Sequence, residues 1–286
     1  MEFPKSTALV PRLDVLETAG STNDELVRRA TGPDAADWCD LSVIVTDNQT
    51  AGRGRLGRTW TAPIGTSLAI SVLLRPSESA PMTVTMPVVP AFGVCPAGPV
   101  TAAGDVAPFS TDGLGWMPLL AGLAMTRAVV SLGAAATLKW PNDVLIGGKK
   151  VSGILSELLL GASGVVVGVG FNTAVPADAL PVDTATSLLV EGVNVDADVA
   201  LAAFLAEFVN LYRAFVAAAG DPGASGLRAA VIEACDTIGR SVSVQLPAGE
   251  PLLGEAVDID EFGRLVVESN GRRTAVAAGD VTHLRY

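Results

Sequence analysis

Two apolar periods run through this chain, one of about 3.6 residues and one of about two, and the changes between them outline its elements. Residues 41–46 and 66–74 are apolar and β-branched and read as strands joined by a polar loop. Ahead of them, Thr22-Asn23-Asp24-Glu25 has the T-x-x-E spacing of a capping box, which predicts a helix to about Ala30 with Leu26 on its buried side. Residues 116–132 carry Leu119, Leu120, Leu123, Ala124 and Val130 at helical spacing, and 197–218 form one long apolar helix. Residues 137–140 predict a strand. Residues 142–146 and 150–160 flank Gly147-Gly148, a hairpin signal, and 165–169 are a continuous apolar strand ending in Gly170-Phe171-Asn172. Pro176 and Pro181 mark a loop. From about Thr237 the runs shorten to 242–244, 256–258, 264–267, 274–276 and 281–285, with turns at 261–263 and at Asn270-Gly271. That spacing predicts a small all-β barrel or sandwich.

Residues 75–114 break the pattern. They hold seven prolines and no lysine, and their one arginine is Arg75. Proline removes backbone donors, so the segment reads as a long, partly disordered insertion between strand and helix. A surface excursion that the fold tolerates is the plain reading; a regulatory or partner-binding role is the alternative. Residues 1–20 are too few for a domain of their own. The organisation expected is a larger α/β unit over 1–236, interrupted by 75–114, and a small β unit over 237–286.

Composition narrows the function. The chain has 286 residues, a formal net charge of -11, 49% hydrophobic and 17% charged residues. The acidity argues against general nucleic-acid binding, which needs a basic surface. Cys39, Cys95 and Cys235 are far apart and lack CxxC spacing, which points to reduced thiols in a cytoplasmic protein. The only histidine, His283, excludes His-dependent triads and multi-His metal sites. No apolar core follows a basic start at the N-terminus, and no apolar run reads as long or uninterrupted enough to span a membrane.

Against that acidity stands one basic run. Arg53, Arg55 and Arg58 lie in Gly52-Arg-Gly-Arg-Leu-Gly-Arg58, and no Asp or Glu occurs between Asp47 and Glu78. Glycine lets the backbone approach a ligand, and arginine offers planar donors to carboxylate or phosphate. The run is an anion clamp. Its G-x-G-x-x-G spacing is not a dinucleotide fingerprint, because Pro63, Gly65 and a strand follow where a helix is required. A second constellation is Lys139-Trp-Pro-Asn-Asp143, followed by Gly147-Gly-Lys-Lys-Val-Ser-Gly-Ile-Leu155. Three of the four lysines, Lys139, Lys149 and Lys150, fall in this stretch. Lys139 sits in apolar sequence, where an ammonium needs an anionic partner. Asn142 and Asp143 are oxygen donors of the kind that position a metal-bound phosphate.

Taken together, Ser21-Thr22-Asn23, the run Gln49 to Trp60, Lys139-Trp-Pro-Asn-Asp143 with Gly153-Ile-Leu155, and Gly168-Val-Gly-Phe-Asn172 resemble the biotin–protein ligases in order and spacing. The resemblance covers nearly the whole chain outside 75–114. It implies a mixed central sheet flanked by helices, as in lipoate ligases and class II synthetases, with an SH3-like tail. It implies an enzyme that uses ATP and Mg²⁺ to activate biotin as an adenylate and passes it to a lysine of a biotin acceptor domain, expected on a biotin-dependent carboxylase. Carried onto this chain, Ser21, Thr22, Asn23 and Gln49 resemble the set that binds the biotin head. Arg53, Gly54 and Arg55 resemble the biotin and adenylate loop, and Lys139 the lysine on the carboxylate and α-phosphate. Arg55, Arg58, Trp60, Asn142 and Lys139 resemble ATP-binding positions, Asp143 a metal ligand, and Arg285 a residue that reaches the nucleotide. A lipoate ligase and a non-catalytic biotin or nucleotide sensor are the alternatives. With about twenty residues before the signature, no DNA-binding domain and no repressor role are expected. No nucleic-acid or membrane partner is expected, and oligomeric state is left open.

Overall fold

The computed structural model describes residues 2–76, 109–246, 250–277 and 279–284. The expected insertion therefore lies mostly outside the described residues, as does Arg285.

Seven strands form the main sheet. They are β1 (Arg12–Val15), β2 (Ser42–Thr46), β5 (Ser67–Leu74), β6 (Ala136–Lys139), β7 (Asp143–Ile146), β8 (Lys149–Leu158) and β9 (Val165–Asn172), in the order β1-β2-β5-β9-β8-β7-β6. Only β1 and β2 run parallel, so the sheet is mixed. A two-stranded ribbon, β3 (Gly52–Arg53) with β4 (Thr59–Trp60), stands apart from it and carries the arginine run.

Strand alternation assigns the two faces. Val43 and Val45, then Leu68, Ile70 and Val72, then Val165, Val167, Val169 and Phe171 point to one side and join a core with α3 (Met117–Ser131) and α4 (Ala197–Ala217). Fully burying each such side chain contributes about 1.5–3 kcal/mol. The opposite face carries Ile44, Leu73 and Val166, covered by α2 (Thr22–Thr31) through Leu26 and Ala30. Beyond α2, that face becomes Ala69 and Ser71 on β5 and Gly168 and Gly170 on β9, and here the functional cavity opens.

Helix α2 begins one residue earlier than a Thr22 cap predicts. Ser21 is the N-cap, its hydroxyl accepting from Asp24 N–H at 3.4 Å. A short first helix, α1 (Pro4–Thr7), docks on α4, where the Asp198 carboxylate accepts from the Lys5 and Ser6 N–H groups, both at 2.9 Å. The docking of α1 and the pairing of edge strand β1 with β2 make residues 2–20 part of the main unit. Segment Thr111–Ser131 and helix α4 are each 21 residues and apolar enough to match a membrane span, which amends the expectation of no such run. Both contribute to the hydrophobic core.

The tail contains β10 (Ser241–Gln245), β11 (Leu252–Ile259), β12 (Leu265–Ser269), β13 (Arg272–Val276) and β14 (Asp280–His283), in the antiparallel order β13-β12-β11-β10-β14. Among the described residues it is one five-stranded antiparallel sheet, consistent with the small β unit expected. The Asn270-Gly271 turn has both residues at positive φ, as a two-residue hairpin loop requires. Val242, Val244, Ile259 and Leu265 belong to the same core as α3 and α4. The indoles of Trp140 and Trp116 donate to Gly263 O at 3.0 Å and Glu261 O at 2.8 Å, and α5 (Leu227–Ala234) adds Arg228 to Asp258 at 2.7 Å.

Candidate active site

One cavity gathers most of the expected residues. Ser21, Thr22, Asn23, Gln49, Arg53, Gly54, Arg55, Trp60 and Asn142 line it, with Lys150, Gly153, Gly168 and Gly170 as further walls. Its empty space, open mouth included, is ≈ 490 Å³.

The floor is made by leaving side chains out. A Cβ on Gly168 would stand 2.2 Å from Asn23 Oδ1, and one on Gly170 would stand 2.4 Å from the Trp60 ring. The Trp60 ring thus lies on the sheet itself. Its indole N–H is buried without a hydrogen-bond partner among the described residues. Trp60 sits among the residues expected to bind the vitamin, whereas the resemblance puts it among the ATP-binding positions.

The inner wall is a hydrogen-bond chain. Gln49 Oε1 accepts from Thr22 N–H at 2.9 Å and lies 3.2 Å from Thr22 Oγ1. Ser71 Oγ donates to Asn23 Oδ1 at 2.7 Å and lies 2.8 Å from Thr22 Oγ1. Asn23 Nδ2 donates to Leu155 O at 3.0 Å and Glu157 Oε1 at 2.8 Å. Asn23 is therefore a brace whose amide hydrogens are both used. Gln49 keeps its amide nitrogen without a protein partner among the described residues, and Ser21 is buried beside it.

The mouth is the arginine run. Arg53 pairs with Asp24 and with Glu157, the latter at 2.9 Å. Arg55 donates to Asn142 Oδ1 at 2.9 Å and to Gly279 O of the tail at 3.2 Å. Leu56 and Gly57, between Arg55 and Arg58, have positive φ, and the turn closes with Gly54 N–H donating to Arg58 O at 2.7 Å. Arg58 is exposed on this turn and does not line the cavity.

Lys139 is not brought in; Lys150 is. Lys139 ends β6, where the chain from Cys235 to Thr237 packs beside it: Asp236 N–H donates to Leu138 O at 2.8 Å and Trp140 N–H to Thr237 Oγ1 at 3.1 Å. The charge of Lys139 acts on His283 in the tail; by its pairing with Asp143 the lysine stands at the edge of the cavity face of the sheet but does not line the cavity. Lys150 Nζ lies 2.6 Å from Asp143 Oδ1 and 5.9 Å from the Trp60 ring centroid. A Cβ on Gly153 would meet Lys150 Nζ at 2.7 Å, so that glycine gives the lysine its path. A register shift, in which Val144 pairs Ser152 but Leu145 pairs Lys150, leaves Val151 as an extra residue. The bulge puts Lys150 and Gly153 on one face although they are an odd number of residues apart.

The donor set does not build a resident Mg²⁺ site. No cluster of three His, Cys, Asp or Glu forms among the described residues, and Asp143 is already paired with Lys150. Mg²⁺ would enter as part of the nucleotide substrate, since it keeps waters and binds through phosphates.

A mixed sheet with a glycine-floored cavity, a polar inner wall and three cations at its opening defines an α/β protein with a site suited to a small anionic ligand. The comparisons with known proteins agree. Residues 22–93 and 107–172 match the Biotin/lipoate A/B protein ligase family, and residues 237–284 match the Biotin protein ligase C terminal domain. The chain is 38% identical to a biotin--[acetyl-CoA-carboxylase] ligase of Mycobacterium tuberculosis, over 96% of this chain and 90% of that protein. It is 26% identical to the biotin protein ligase of Leishmania major solved with biotin, covering 96% and 99% of the two chains at a TM-score of 0.53. For the biotin protein ligase of Aquifex aeolicus with biotin and ATP, the TM-score is 0.69 over 96% and 99% of the chains. At 23% identity that likeness speaks for the fold alone. This chain belongs to the biotin protein ligase family.

Proposed function

We propose that this protein activates biotin with ATP as biotinoyl-5'-AMP and transfers it to a lysine of a biotin acceptor domain, in the cytoplasm, with a biotin-dependent carboxylase subunit as acceptor. The observation that carries the reading is the convergence of Lys150, Arg53 and Arg55 on one cavity whose inner wall offers Ser21, Thr22 and Gln49. Biotin has a polar ureido head, an apolar ring and a carboxylate tail. The inner wall suits the head, Trp60 and the glycine floor suit the ring, and the cations suit the tail. Asn23 acts by holding Thr22 and Ser71 in place.

The carboxylate attacks the α-phosphorus of ATP and pyrophosphate leaves. Two anions must meet, so the protein's task is to neutralise charge and to orient. Lys150 takes the role that the resemblance suggested for Lys139, and Arg55 with Asn142 faces the phosphate side. The acceptor lysine then attacks the mixed anhydride and AMP leaves. No enzyme nucleophile is needed; Cys235 is buried and its thiol is pushed above its ordinary range by that burial. Residues 1–236 are read as the catalytic unit and 237–286 as a tail that braces it, supported by the Arg55 to Gly279 O bond.

The test is a single incubation with MgATP, biotin and a biotin-acceptor domain. A mass gain of one biotinoyl group on the acceptor is expected. Pyrophosphate exchange that depends on lipoate instead of biotin would overturn the substrate, and tight biotin binding without exchange would overturn the enzyme reading.

A further inference from the structure

Near the end of β8, Glu157 serves two parts of the site at once. Its Oε1 accepts at 2.8 Å from Nδ2 of Asn23, a residue that lines the cavity. The same carboxylate receives Arg53 Nη2 at 2.9 Å on Oε1 and 3.1 Å on Oε2, at the mouth. Arg53 also pairs with Asp24 in the first turn of α2. The arginine run has no acid within its own segment from 48 to 77, so its charges find carboxylates only across the fold. Asp24 has a local reason to be acidic, since a helix N-terminus favours negative charge. Glu157 lies in a strand and has no such reason.

We propose that Glu157 is a positioning residue: its carboxylate orients the Asn23 amide and, with Asp24, tethers Arg53 so that the glycine-rich loop lies over the cavity. The Asn23 half is geometrically closed. With Leu155 O and Glu157 taking both amide hydrogens and Ser71 donating to the oxygen, the amide has one orientation that satisfies every partner. The Arg53 half is weaker by construction. The side chains of Arg53 and Glu157 are 46% and 29% exposed, so solvent screens the pair. A screened pair holds the loop yet lets Arg53 turn toward an incoming anion. The consequence for catalysis rests on the biotin reading above; the tether itself is a property of the protein alone.

The loop supplies its own reporter, because trypsin cuts after Arg53, Arg55 and Arg58. Glu157→Gln keeps an acceptor for Asn23 and removes the charge facing Arg53, whereas Glu157→Ala removes both. Without added ligand, Glu157→Gln should be cut in this loop about threefold faster than the parent at low salt. The difference should shrink in 1 M salt, where screening acts over about 3 Å. Asp24→Asn should act in the same direction and gives an independent reading should Glu157→Ala fold poorly. With MgATP and biotin, Glu157→Gln should leak adenylate faster at a biotin KM close to the parent's, and Glu157→Ala should raise that KM as well. Equal loop cleavage in Glu157→Gln, Asp24→Asn and the parent overturns the tether. A parental biotin KM in folded Glu157→Ala overturns the positioning of Asn23. Faster loop cleavage in a protein that never forms adenylate upholds the tether and sinks the biotin reading instead.

Discussion

At the floor of the cavity, Gly168 and Gly170 touch Asn23 and Trp60 so closely that neither position admits a Cβ, and Asn23 is braced by a buried hydrogen bond from Ser71 and a part-buried one to Leu155 O. At the mouth, Arg53 is held by partly exposed ion pairs, and Arg55 by the Asn142 amide oxygen and one tail carbonyl. The floor is preorganised and costly to disturb; the mouth is held loosely. Such a division suits an enzyme that must recognise a small vitamin by shape, then admit a triphosphate, then shield a reactive anhydride from water. Recognition belongs where nothing moves, and shielding belongs where opening is cheap.

Lys150 stands where floor and mouth meet, and its loss should produce the largest effect. Lys150→Ala should cut biotin-dependent pyrophosphate exchange by roughly a hundredfold or more, as loss of a preorganised charge stabiliser does. Near-parental exchange would break the convergence on which the function rests. Next comes the floor. Gly168→Ala sets its methyl against an Asn23 fixed by three hydrogen bonds, so the strain cannot be relieved by a simple rotation. A loss of about 1–3 kcal/mol in stability is expected, with weakened biotin binding, measured by denaturant titration and calorimetry. Unchanged stability and affinity would show that the floor yields as readily as the mouth. Arg55→Gly should spare folding and release adenylate roughly tenfold faster, read from its escape in a filter or quench assay. If its adenylate escaped no faster than the parent's, Arg55 would not be part of the closure.

Much of this division was legible in the chain. The apolar, β-branched runs at β2, β5 and β9, the capped start of α2 and the two long helices follow from local pattern, and of the residues expected at the vitamin site all but Lys139 line one cavity. What escaped was non-local. Strand β1 has only Leu13 and Val15 to mark it, and α5 is eight residues without a polar cap, so both owe their form to tertiary packing. The partners of Arg53 and Arg55, Glu157 and Gly279, lie 104 and 224 residues away. That Lys150 and not Lys139 lines the cavity has a definite reason. Lys139 was chosen for its apolar context, but that context is the interface with the tail, and the bulge at Val151 upsets strict alternation on β8. The available signal was Gly153: a small residue three positions from Lys150, on a strand otherwise built of larger side chains, marks room for a long side chain to lie across it.

The smallest effect should come from Lys139, and it is the sharpest test of which lysine belongs to the site. Lys139→Ala should leave adenylate formation within about twofold of the parent, since Lys139 does not line the cavity and surface substitutions of this kind usually stay within about 0.5 kcal/mol. Its signature should be in the tail. His283 is held below its ordinary pKa of 6.5, first by burial and then by the positive charges of Lys139 and Arg240, with Asp236 opposing them. Removing Lys139 takes away one of the terms that disfavour the imidazolium, so the pKa of His283 should rise. As the only histidine in the chain, its ring protons give one unambiguous NMR titration. A depressed histidine lowers stability as pH falls below its unfolded value, so the variant should also lose less stability on mild acidification than the parent. A large fall in adenylate formation with an unmoved His283 titration would return Lys139 to the active site and remove Lys150 from it.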